Sequence, residues 1–191
     1  MKESNQYFIY VGNAYPHKNL KRLIEAVMNV NKKVKENIEL YIVSSRNVFT
    51  KRLEKLIDKL NARDYVKLLG FVPDEKLKVL YKKSLGFIFP SISEGFGLPG
   101  IEAMNSQTLV ACSDIPVFKE VYKDVPVYFN PFDINSISDS MKLILDMDPE
   151  AREKRIEKGL DLAKTYSWSK MAQETLEVYL SLFGVASNEK P

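Results

Sequence analysis

The sequence predicts an α/β domain: a doubly wound parallel sheet of about six strands, helices on both faces and extra helices at the C-terminal end. Three observations carry this expectation. Short apolar runs of strand length alternate with stretches of helical periodicity as far as Phe129. Several of the runs stop abruptly, at Gly12, Ser44-Ser45, Gly70 and Pro90. Beyond Pro131 the strand-like runs cease and only helical periodicity remains.

In chain order, Tyr7–Val11 reads as the first strand, and Leu20, Leu23, Ile24, Val27 and Val34 mark the helix after it. Ile38–Val43 is the second strand, followed by a helix through Phe49, Leu53, Leu56, Ile57 and Leu60. Val66–Leu69 is the third. Pro73-Asp74-Glu75 then opens a helix carrying Leu77, Leu80 and Tyr81, because proline and acidic residues suit a helix start. Leu85–Phe89 is the fourth strand, Leu98–Ser106 a short helix, Thr108–Cys112 the fifth strand, Pro116–Tyr122 a brief helix and Pro126–Phe129 the sixth strand. Ile134, Ile137, Met141, Ile144 and Leu145 form one further helix, and Ala151–Thr165 and Trp168–Phe183 two more. Residues 7–183 are expected to form one domain, between a disordered N-terminus at 1–6 and a flexible tail at 184–191.

The chain's 191 residues suffice to bury a core, and 45% of them are hydrophobic. Its 28 basic and 25 acidic residues are too evenly balanced to suggest a nucleic-acid partner. The single cysteine, Cys112, excludes an internal disulfide, suits a reducing, cytoplasmic compartment and reads as a buried, inert thiol. No apolar run approaches the length of a membrane span, and the polar start is unlike a signal peptide.

Parallel sheets of this kind bind ligands at the carboxyl ends of their strands. The loop after the first strand, Gly12-Asn13-Ala14-Tyr15-Pro16-His17-Lys18-Asn19, offers a tight turn, a cation at the helix start and two amides, which together suit a diphosphate. An equally good reading has Asn19 capping the helix and Lys18 solvated. His17, the only histidine, reads as a loop-packing residue rather than a general base. The loop after the fourth strand contains Glu94-Gly95-Phe96-Gly97-Leu98-Pro99, then Glu102 inside the next helix. Gly95 and Gly97 leave room for a ligand, and the helix start supplies free N–H groups and partial positive charge for a phosphate. Glu94 suits sugar hydroxyls or developing positive charge, and Glu102 a ribose diol. The bland reading has Glu94 capping the helix and Glu102 paired with a lysine.

The segment Glu94-Gly95-Phe96-Gly97-Leu98-Pro99 with Glu102-Ala103-Met104 resembles the Glu-x7-Glu motif of the retaining GT-B glycosyltransferases of family 4 (glycosyl transferases group 1). Tyr10-Val11-Gly12 through Lys18-Asn19-Leu20 with Leu23-Ile24-Glu25-Ala26 is similar to that family's first phosphate loop and helix. Leu69-Gly70-Phe71-Val72-Pro73, Ser113-Asp114-Ile115-Pro116 with Glu120-Val121, and Tyr166-Ser167-Trp168 match in order. The resemblance covers residues 7–183 and implies a Rossmann-like half of a GT-B fold, holding a GDP- or UDP-sugar donor for retaining hexosyl transfer. The expected product is a cell-surface polysaccharide or glycolipid, with mannosyl or glucosyl as the group moved. It further implies that Lys18 contacts the diphosphate and Glu94 the donor sugar, these two being the catalytic pair. Gly97 and Leu98 would hold the distal phosphate through their N–H groups, and Glu102 the ribose. Gly12, Asn13, Gly95 and Phe96 complete the donor site, with Phe71 and Val72 beside the base; the loop at Ser44–Asn47 also bears on base choice. No metal or other cofactor is implied.

Two departures qualify this picture. Asn13 stands where the family usually has arginine, so one positive charge is missing from the diphosphate site. The chain also begins where the family's C-terminal domain begins. An N-terminal acceptor domain is therefore an expected partner, and the full enzyme is compatible with peripheral attachment to the inner face of the membrane. Without that domain the chain is expected to be inactive. Two other readings stay open: a non-catalytic nucleotide-binding or assembly module of the same fold, and another doubly wound enzyme such as an epimerase. Asp146-Met147-Asp148 imitates a metal motif but reads as a helix-to-helix turn. The stripe Trp168, Met171, Leu176, Tyr179 and Phe183 reads chiefly as core packing. Part of it is suited to face the absent domain or, in a solitary chain, to pair two copies as a homodimer.

Overall fold

A computed structural model describes residues 6–182. The strands are β1 (Tyr7–Val11), β2 (Glu39–Val43), β3 (Val66–Gly70), β4 (Phe87–Phe89), β5 (Val110–Ser113) and β6 (Val127–Phe129). The helices are α1 (Leu20–Lys33), α2 (Val48–Lys59), α3 (Asp74–Lys83), α4 (Leu98–Asn105), α5 (Pro116–Tyr122), α6 (Ile134–Leu145), α7 (Pro149–Lys164) and α8 (Trp168–Leu182). All strand pairs are parallel, in the order β3-β2-β1-β4-β5-β6. The order reverses between β1 and β4, so the loops leaving those two strands flank the switch point.

The central strands are apolar on both sides because helices cover both sheet faces. Phe8, Ile9, Tyr10, Phe87, Ile88 and Phe89 are all fully buried. Helix α1 buries Leu20, Leu23, Ile24, Val27 and Val30 at the spacing of one helix face and packs against α6. Helix α4 packs against α7. Edge strand β3 buries Val66 but exposes Lys67 and half-buries Leu68, a charged edge that resists pairing with another chain.

The fourth and fifth strands start later than the apolar runs suggest. Helix α4 ends through Gln107 in the left-handed conformation, and the Thr108 N–H closes onto the Ala103 carbonyl, which delays β5 to Val110. Two arginines of α7 hold the opposite end of the sheet from the site loops. Arg152 donates to the Leu85 carbonyl at 2.6 Å, and Arg155 to that of Val125 at 2.7 Å.

The expectation for the last helix needs correction. Helix α8 forms, but it buries no residue: Trp168 is 70% exposed, and Met171, Leu176 and Tyr179 are exposed with it. Periodicity gave it an apolar face, yet no described part of the domain reaches that face. Phe183, the tail expected at 184–191 and residues 1–5 of the expected N-terminal segment lie outside the described residues.

Candidate functional site at the switch point

The turn after β1 is set by Gly12, whose φ of 146° lies where side chains are strained. Its N–H donates to the Val43 carbonyl at 3.0 Å. A Cβ on Gly12 would sit 2.9 Å from the hydroxyl of Tyr10, which itself donates to the Asn13 carbonyl at 2.7 Å. The chain then makes a single 3-10 turn over Pro16–Lys18 and enters α1 through Asn19 in the left-handed conformation.

Asn19 occupies the N-cap position of α1, but its side chain makes no capping hydrogen bond there. It is buried, and its amide nitrogen donates to the carbonyls of Pro90, at 3.1 Å, and Pro131, at 2.7 Å. Arg22 donates to its amide oxygen at 3.0 Å. The expectation that Asn19 offers a hydrogen bond to a diphosphate is therefore corrected: both ends of the amide are engaged in tying loops together. His17 contributes through its backbone, its carbonyl accepting the Ile92 N–H at 2.8 Å, while the side chain stays exposed. Among the described residues the Asn13 amide nitrogen has no partner, and its side-chain oxygen accepts the Tyr15 N–H at 3.4 Å.

The turn after β4 ends at Gly97, the residue before α4, with a φ of 98°. Gly97 is buried, yet neither its N–H nor that of Leu98 makes a hydrogen bond among the described residues. An unpaired donor at a buried residue such as Gly97 is costly and uncommon, and the more exposed Leu98 N–H is one of the free donors of a helix start, so together they are a physical argument for a ligand. Gly95 opens onto free space, since a Cβ there would meet nothing within 4 Å, and Phe96 stands edge-on to Tyr166 at 5.4 Å. Gly97 rather than Glu94 occupies the N-cap position of α4.

Lys18 and Glu94, one from each loop, meet across the switch point. The ammonium lies 2.5 Å from a Glu94 oxygen, both side chains are only 12% exposed, and the ammonium also lies 5.7 Å from the centre of the Phe89 ring. An ammonium has three donors, so Lys18 holding Glu94 has further hydrogen bonds to offer an incoming phosphate oxygen.

Glu102 lies one turn inside α4. Partial desolvation of its carboxyl, then the negative charge of Asp74, raise its pKa from the usual glutamate value. Ser44 joins the loops after β2 and β3 through its N–H, donated to the Gly70 carbonyl at 3.2 Å, and its buried hydroxyl has no partner among the described residues. Phe71 follows at 75% exposure and Val72 packs partly against the core. Asn47 caps α2, its side-chain oxygen accepting the N–H groups of Phe49 and Thr50. Asp148 likewise caps α7 and Asp146 pairs with Lys142, as a helix-to-helix turn requires. No cluster of three or more metal-ligating side chains occurs among the described residues. Cys112 is buried, and burial, then Asp114, raises its thiol pKa.

Sequence reasoning missed the tyrosines beneath the loops. Tyr10 donates to Asn13, Tyr81 to the Pro99 carbonyl at 3.4 Å, and Tyr122 to the Gly97 carbonyl. The available signal was a phenol inside an apolar segment, because a buried hydroxyl needs a partner.

A parallel sheet in this order, with a glycine turn, a helix start and a cation at its switch point, defines a Rossmann-like doubly wound domain. The chain belongs to the family of glycosyl transferases group 1, whose model matches residues 1–161. It is 42% identical over 144 residues to the O-antigen chain mannosyltransferase RfbU of Salmonella typhimurium, covering 75% of this chain and 39% of that protein. It is 32% identical over 173 residues to the O-antigen chain mannosyltransferase B of Escherichia coli, covering 91% of this chain and 45% of the relative. Among solved structures, sucrose-phosphate synthase from Thermosynechococcus elongatus superposes with a TM-score of 0.82 at 24% identity, over 95% of this chain and 46% of that one. The trehalose 6-phosphate synthase of Burkholderia multivorans gives 0.84 at 16% identity, over 96% and 44%. The chain thus spans less than half the length of these relatives and neighbours.

Proposed function

We propose that this chain binds the nucleoside diphosphate of an activated sugar and, together with an acceptor-binding domain, transfers a hexosyl group with retention and without a metal. The observation that carries the reading is the N–H groups of Gly97 and Leu98, which have no partner among the described residues, beside the Lys18–Glu94 pair at the switch point. The N–H groups and Lys18 would stabilise charge growing on the departing diphosphate, the kind of preorganised electrostatics that carries much of catalysis. Glu94, steadied by Lys18, faces the sugar, and Glu102 the ribose. The names of the relatives favour mannosyl as the group moved and a surface polysaccharide as its destination. Work on such a polymer suits the cytoplasm or the inner face of the membrane; among the described residues no helix is long and apolar enough to cross one.

Calorimetric titration with GDP and UDP tests the donor site. Saturable binding of one of them is expected, and a folded protein that binds neither at millimolar concentration would sink the reading. Asn13, which lacks the charge of the family's usual arginine, favours a second reading as a non-catalytic nucleotide-binding module. Adding the N-terminal half of a close relative in trans separates the two, since sugar transfer in that mixture removes the module reading.

A further inference from the structure

The peptide between Gly97 and Leu98 is planar and trans, so its carbonyl and its N–H point in opposite directions. The Gly97 carbonyl is turned inward, where it accepts the hydroxyl of Tyr122 and the Gly100 N–H, the latter at 3.0 Å. The Leu98 N–H must then face outward, with no partner among the described residues.

Tyr122 comes from α5, 25 residues further along the chain, and is fully buried. Its hydroxyl fills a notch made by two glycines: a Cβ would lie 2.1 Å from it at Gly97 and 2.3 Å at Gly100. Its ring stacks on Phe118 at 5.0 Å, and Phe118 lies against Phe89 of β4 at 4.8 Å. The phenol is thereby fixed from the sheet. A glycine turn with no such anchor could rotate this peptide at small cost, because glycine is permissive on both sides of φ.

We propose that Tyr122 is a positioning residue: its hydroxyl holds the Gly97–Leu98 peptide with the Leu98 N–H aimed at a phosphate of the bound nucleoside diphosphate. This rests on the donor-site reading above. The phenol touches no ligand and acts only through the peptide, so it should affect recognition of phosphate and leave recognition of the nucleoside alone.

The test compares the wild type with Tyr122→Phe, which keeps the ring and removes the hydroxyl. Each is titrated with UDP, GDP, uridine and guanosine. Affinity for the preferred diphosphate is expected to fall about 3- to 10-fold, the worth of one hydrogen bond, while affinity for the matching nucleoside stays within about 2-fold. Equal diphosphate affinity in the two proteins overturns the proposal alone, as does an equal loss for diphosphate and nucleoside. A wild type that binds neither diphosphate overturns the donor-site reading and this proposal with it. Should Tyr122→Phe fail to fold, the Leu98 amide resonance of the wild type decides. It is expected to shift with inorganic pyrophosphate and not with uridine, and an amide indifferent to pyrophosphate overturns the proposal.

Discussion

The turns at Gly12 and Gly97 face each other across the switch point and are built on one plan. Each has a glycine at positive φ, a buried tyrosine beneath it and a phenol hydroxyl donated to a loop carbonyl. They differ in how closely the tyrosine approaches. The Tyr10 hydroxyl lies 2.9 Å from the Cβ position at Gly12, whereas that of Tyr122 lies 2.1 Å from the one at Gly97. They differ in chemistry too, since the first loop brings the cation Lys18 while the second brings backbone donors and Glu94. A ligand held between them would meet one side-chain charge and one fixed set of dipoles. The difference teaches that a glycine is indispensable where its backbone must touch a buried group, not merely where a ligand is near.

Alanine substitutions at the glycines put the largest strain on this comparison. Gly97→Ala combines an unfavourable φ with a clash against a buried ring and should cost about 2–6 kcal/mol in urea denaturation. Gly12→Ala should cost less, because the clash is milder, and Gly95→Ala, which meets open space, should barely move the midpoint. An order other than 97, 12, 95 would break the account of the two turns.

Asn19→Ala tests the tie between the loops. It leaves the Pro90 and Pro131 carbonyls without their shared donor and keeps a side chain in the left-handed region, a loss of about 2–4 kcal/mol. A stability unchanged in the same denaturation series would mean that the two loops are held independently.

Lys18→Met should weaken diphosphate binding by about 10-fold or more in calorimetry and destabilise the free protein by about 1–3 kcal/mol, since Glu94 then loses its cation in a mostly buried place. Adding Glu94→Gln should recover much of the stability and none of the affinity. Recovery of both would show that the first loop supplies no charge to the ligand.

The smallest effect belongs to Glu102. Its folded-state pKa is raised, so the folded protein binds the more protons between the unfolded and folded values, and stability falls as pH rises through that window. Glu102→Gln removes this penalty: the ligand-free variant should melt slightly higher than the wild type above the window and show a flatter pH dependence. Its nucleoside affinity should drop, because an amide replaces an ionised acceptor of ribose hydroxyls. Melting curves across the acid range and a uridine titration check the two signs.

Much of the fold was legible because strands buried on both faces are continuous apolar runs, and their stops at Gly12 and Gly70 are local chemistry. The positions of Glu94, Gly97 and Glu102 were legible for the same reason, as a strand, a turn and a helix start in one short segment. The role of the Asn19 amide was missed because its partners are carbonyls 71 and 112 residues away, although the residue does stand at the start of α1 as one of the two readings had it. The apolar face of α8 was misread as core because periodicity names a face and not what covers it.

The sequence by itself determined the α/β alternation, the glycine turns and the residues that line the strand ends, all set by short-range sterics and by the period of hydrophobic burial. Only the tertiary structure decided that β1 and β4 lie side by side, that Lys18 meets Glu94, and that Tyr10 and Tyr122 brace the two turns. Most of those contacts join residues far apart in the chain. They exist because the crossover connections bring the strands together at one place, where the buried phenols of Tyr10 and Tyr122 find backbone carbonyls as acceptors.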